Sequence, residues 1–140
     1  MKKVLIVLFF GVLMQTSFAQ ATPFQVVNNT ECHFLVKAIA SDTTCDSACT
    51  SKLICMPPQS VVNINGCSSD STQVWAQLCV TPAEDARCKL CPDVITSCVS
   101  PSNMSHCSGA PIAIYDEEAC GACSNYSGQF LSPTIFEITN

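Results

Sequence analysis

The chain has 140 residues, 12 of them cysteine, and a formal net charge of −5. Beyond Lys2 and Lys3, only Lys37, Lys52, Arg87 and Lys89 stand against 11 acidic residues. That balance excludes the basic, aromatic-interleaved surface that nucleic acid or an anionic membrane requires.

The first residues read as a secretion signal. Lys2 and Lys3 form a charged start, Val4 to Met14 an apolar run, and Ser17-Phe18-Ala19 a small-residue cleavage site after Ala19. The run is shorter than the roughly 20 residues of a membrane span. Residues 1–19 are therefore expected to be a signal peptide, and residues 20–140 a single disulfide-stapled domain with no membrane span. Export accounts for the cysteines, because disulfides persist outside the reducing cytosol. Cys32, Cys45, Cys49, Cys55, Cys67, Cys79, Cys88, Cys91, Cys98, Cys107, Cys120 and Cys123 form an even set, the arithmetic of a disulfide framework whose pairing the sequence leaves open.

In chain order, Phe24 to Val27 is a short strand, Asn28 to Glu31 a turn, and Cys32 to Ala40 a second strand. Cys32, Phe34, Val36 and Ala38 share one face of it; His33, Leu35, Lys37 and Ile39 share the other. The two strands are expected to form an opening hairpin. Cys45 and Cys49 are spaced for one helical turn or for a loop stapled twice. Leu53 to Met56 and Ser60 to Ile64 are brief strands flanking Pro57-Pro58. Gln73 to Val80 is a clear strand, with Val74, Ala76, Leu78 and Val80 facing one way and Trp75 and Cys79 the other. Thr81-Pro82-Ala83-Glu84 has the signature of a helix start, predicting a helix from Pro82 to about Cys91. Ala110 to Tyr115 is a strand with Ile112 and Ile114 aligned, Asp116 to Glu118 an acidic turn, and Phe130 to Ile138 a closing strand pair bent at Pro133. Short strands between Gly, Pro, Ser and Asn loops predict a mainly β fold, a small disulfide-rich sandwich or barrel-like domain with at most one or two short helices.

Several constellations invite chemistry. Cys88-Lys89-Leu90-Cys91 and Cys120-Gly121-Ala122-Cys123 are paired C-x-x-C motifs, but they are farther apart than in a compact zinc site, and an exported chain favours oxidation. The turn-like Ser124 to Gly128 and the carboxylates Asp116, Glu117 and Glu118 argue against a low-pKa exchange thiol at Cys120. His33 and His106 are the only histidines, and no G-x-S-x-G elbow or calcium-loop pattern is present. No enzyme, metal or cofactor is expected. Asn28, Asn103 and Asn125 head N-x-S/T sequons.

The signal end Ser17-Phe18-Ala19-Gln20, the stretch Val26-Val27-Asn28-Asn29-Thr30-Glu31-Cys32 and the run Val36 to Ala40 resemble the start of small secreted β-sandwich proteins of Bacteroidota. Asp42-Thr43-Thr44, Asp46-Ser47-Ala48 and Asp70-Ser71-Thr72 look like O-glycan acceptor sites of such bacteria, at Thr43, Ser47 and Ser71. The resemblance implies a β fold and implies little about activity. The expected function is a non-enzymatic extracellular, periplasmic or cell-surface binding module for an extracellular protein or glycan. The alternative is a structural subunit of a fibre or coat that self-associates by strand addition through Phe24–Val27 or Thr134–Ile138.

Overall fold

The computed structural model describes residues 23–67, 72–120 and 125–140. Among these residues, ten strands form two five-stranded sheets, with one four-residue helical turn, α1 (Ser105–Ser108). The protein is thus a small, mainly β domain rich in disulfides. Sheet A runs β5 (Ser60–Ile64), β1 (Phe24–Asn28), β10 (Ile135–Thr139), β9 (Tyr126–Ser132) and β8 (Ala113–Glu117). Sheet B runs β3 (Ala48–Thr50), β2 (His33–Ser41), β6 (Val74–Ala83) and β7 (Ser97–Val99), with β4 (Ile54–Met56) beside β3 on the same strand β2.

The core lies between the sheets. In β2, Phe34, Val36, Ala38 and Ala40 are buried while the residues between them are half-exposed, the period-2 pattern of a one-face-buried strand. Aromatic rings cross the gap: Phe34 packs edge-on against Tyr126 at 5.0 Å, and Phe24 against Trp75 at 5.6 Å. Phe136, Phe130 and Phe24 continue this packing within sheet A.

The expected opening hairpin does not form. β1 pairs with β5 and β10 in sheet A, and β2 belongs to sheet B. The buried Asn28 side chain makes the crossing. Its amide donates to the carbonyls of Cys32 and Pro57, both at 2.8 Å, and its Oδ1 accepts from the Thr30 N–H and hydroxyl. Thr30 Oγ1 then accepts from the Cys32 N–H. These bonds satisfy the turn's polar groups inside the protein and send the chain from one sheet to the other.

The helix predicted from Pro82 to Cys91 is also absent. β6 continues through Pro82, opposite Phe34, to Ala83. β7 covers β6 only at Leu78–Val80, so Pro82 lies where that side of the strand is free of β7 and its missing N–H disrupts no bond there. Beyond Ala83 the chain turns instead: Glu84 N–H donates to the Lys89 carbonyl, Cys88 N–H to that of Asp85, and Asp85 Oδ1 accepts from the Arg87 and Lys89 N–H groups. The capping-box residues served strand and turn because burial alternation on β6 outweighs a local helix signature.

Trp75 does not share a face with Cys79. The β2–β6 register slips between Ile39 and Ala40, where Ala76 is the extra residue, and this bulge turns Trp75 into the core beside Leu78 and Val80. Ile112 and Ile114 also part company: Ile114 is buried in β8, and Ile112 lies before the strand and is exposed. Asp116 and Glu117 belong to β8, where the register with β9 shifts and Asp116 takes φ 50°. Finally, β1 and β10 are interior strands paired on both sides, so strand addition has β5 and β8 of sheet A available to it, and not the two segments expected.

A groove on the outer face of sheet B

The outward face of β2 carries Leu35 and Lys37, and that of β6 carries Cys79 and Thr81. In the ladder Leu35 lies opposite Thr81 and Lys37 opposite Cys79, so the four side chains tile one patch. Leu35 is an apolar residue on the face turned away from the core, and two loops close over it. Leu53, just before β4, stands on one side. Leu90 and Val94, in the β6–β7 connection, stand on the other, and together they enclose about 350 Å³. Leu53 and Leu90 are each more than half exposed, at 60% and 56%.

Cystines hold the walls. Cys55 lies opposite Leu35 on β4 and is bonded to Cys88. Cys91 is bonded to Cys120, beyond β8 in sequence, and Cys79 to Cys98 across the β6–β7 ladder. Cys88 takes φ 53°, a left-handed backbone that non-glycine residues adopt at a cost. The linkage to Cys55 and the bond from its N–H to Asp85 hold it there. An antiparallel bridge between Ala83 and Leu90 and a 2.8 Å hydroxyl contact between Thr81 and Thr96 complete the wall. On its outer side Lys89 pairs with Glu84 at 2.6 Å, which raises the Lys89 pKa.

The other described cysteines are also oxidised. Cys45 is bonded to Cys107 and Cys49 to Cys67; Cys32 is disulfide-bonded too, and Cys123 lies outside the described residues. Cys88 and Cys91 therefore bond to different partners and not to each other. Cys45, Cys107 and His106 bring three potential metal-ligand atoms within 4.8 Å. His106 Nε2 lies 3.5 Å from Cys107 Sγ and 3.2 Å from the Thr43 carbonyl. The disulfide consumes both thiolates, which leaves one imidazole, too few donors for a structural metal.

Among the glycan candidates, Thr43, Ser47, Asn103 and Asn125 are exposed. Ser47 Oγ donates to Asp42 Oδ2, and Asn125 Nδ2 donates to Asp116 Oδ1. Burial opposes ionisation of Asp42, but that bond from Ser47 and the backbone N–H groups of Asp46 and Ser47 outweigh it and lower its pKa. Asn28 is fully buried, and the amide nitrogen that a sugar would occupy already makes two bonds. Ser71 and the predicted signal peptide lie outside the described residues. No helix among the described residues is long and apolar enough to cross a membrane.

Leu53, Leu90 and Lys37 were not recognisable as a site from the sequence. The signal that marks them is the outward face of β2 itself: a strand whose solvent side carries Leu35 and Ile39 needs cover. A second furrow, of about 690 Å³, runs between residues 50–55 and 63–67; its lining mixes apolar Leu53, Ile54 and Ile64 with Ser51, Lys52, Asn63 and Asn65. No protein-family model matches the chain, and neither a curated protein nor a solved structure matches it.

Proposed function

We propose that the protein is a non-enzymatic extracellular binding module that takes its ligand in the groove on sheet B. The observation that carries this reading is the pair Leu53 and Leu90: two large apolar side chains, more than half exposed, held on opposite sides of a concave floor by covalent links. Apolar surface of this kind, pinned open where collapse would bury it, suits occupancy by a ligand. The framework of oxidised cysteines supports an extracellular setting, where such links persist. Export by the Lys2–Ala19 signal and glycans on the exposed Thr43, Ser47, Asn103 or Asn125 fit the same reading.

The test uses N-phenyl-1-naphthylamine, a neutral apolar dye, and the oxidised full-length protein. The expected result is a saturable, one-to-one rise in fluorescence that Leu90→Asp abolishes. No saturable rise, or one unchanged in both Leu53→Asp and Leu90→Asp, overturns the reading.

A further inference from the structure

The groove lining holds a single charge. Lys37 is half-buried on the floor, and the lining includes no carboxylate. Among the described residues the one ion pair is Lys89–Glu84, so Lys37 has no acidic partner within ion-pair distance there. An ammonium flanked by Leu35 and the Cys79–Cys98 cystine interacts most favourably with an anion, because the apolar walls exclude much of the water that would screen it. The rest of the lining asks for something else. Leu53, Leu90 and Val94 offer only apolar contact, which a sugar or a free phosphate would leave unused.

Resting on the binding reading above, we infer that the groove binds a free, single-tailed amphiphile with an anionic head: a medium-chain carboxylate of about eight to ten carbons, the size class that a groove of this volume encloses. Its carboxylate meets Lys37 Nζ in a charge-assisted hydrogen bond. Its alkyl chain runs over Leu35 between Leu53 and Leu90. Lys37 selects the head, and the leucines reward tail length.

The probes are acetate, octanoate, decanoate and decan-1-ol, measured by displacement of the neutral dye and by calorimetry on the oxidised full-length protein. Decanoate is expected to bind one-to-one, about tenfold or more tightly than decan-1-ol. Affinity should rise about fourfold per added methylene from octanoate to decanoate, with acetate failing to compete. Lys37→Met should erase the preference for decanoate over decan-1-ol, and Lys37→Arg should restore it. Thermal melts report that each variant stays folded. Equal affinity for acid and alcohol, an unchanged preference in Lys37→Met, competition by acetate, or binding only to vesicles of anionic phospholipid overturns the inference. In the first three cases dye binding stands, so the failure of carboxylate recognition is distinguished from failure of the binding reading. Concentration-dependent dimerisation that blocks the dye would overturn both.

Discussion

The strands of sheet A contain no cysteine, whereas Cys49, Cys55, Cys79 and Cys98 all lie in strands of sheet B. Sheet A's strands run five to seven residues and pair along most of their length, with bulges on both sides of β9, over a buried aromatic cluster. In sheet B only β2 and β6 are long. Its flanking strands β3, β4 and β7 have three residues each, and each carries one disulfide-bonded cysteine. A strand that short makes too few ladder bonds to offset the entropy of ordering it. A covalent link removes much of that entropy from the unfolded chain. The comparison teaches that one half of the domain is stabilised by its pattern and the other by its cystines, and that the groove is built on the second half.

Two perturbations at core side chains of sheet A bear on this contrast. The larger is Phe136→Ala. Phe136 is fully buried, packs on Phe130 at 5.0 Å and covers Gly128, whose missing Cβ leaves the ring its place. Denaturant unfolding should show a loss of about 3–5 kcal/mol. Dye binding by the folded fraction should be unchanged, because no groove residue touches the cavity created. A smaller effect comes from pH. Burial raises the Tyr126 phenol above its ordinary value of 10.0; contact with Ser97 offsets part of that rise and the Glu117 carboxylate adds to it. The unfolded chain therefore loses this proton first, and stability is complete below about pH 10 and falls above it. Thermal melts of the wild type and Tyr126→Phe, compared between pH 8 and 11, should show the alkaline fall reduced in the variant.

The β2 and β5 alternations were legible because burial on one face leaves a period-2 trace that few other structures produce. The closing pair β9 and β10 was legible for the same reason, and Pro133 falls at its turn. The partnering of β1 was not legible, since Asn28 makes its bonds to residues both near and distant and nothing in Asn28-Asn29-Thr30-Glu31 distinguishes a hairpin turn from a crossing between sheets. Thr81-Pro82-Ala83-Glu84 misled because a cap is a local preference worth about 1 kcal/mol, while an extended β6 buries Val80 and Pro82 on its inner face. The groove was invisible for a related reason. Its walls belong to one patch through Cys55–Cys88 and Cys91–Cys120, and spacing alone leaves such pairings open.

Cystines hold the walls of the groove proposed to bind ligand, and breaking one wall is the direct test of that proposal. Two double variants, Cys55→Ala with Cys88→Ala and Cys45→Ala with Cys107→Ala, each remove one linkage and should each cost about 2–4 kcal/mol. Affinity for N-phenyl-1-naphthylamine separates them. Binding should be lost when Cys55 and Cys88 are replaced, since Cys88 ties the segment bearing Leu90 to β4, and should survive when Cys45 and Cys107 are replaced, since that linkage joins the loop before β3 to α1, neither of which contributes a lining residue. Undiminished dye affinity without the Cys55–Cys88 bond would contradict it.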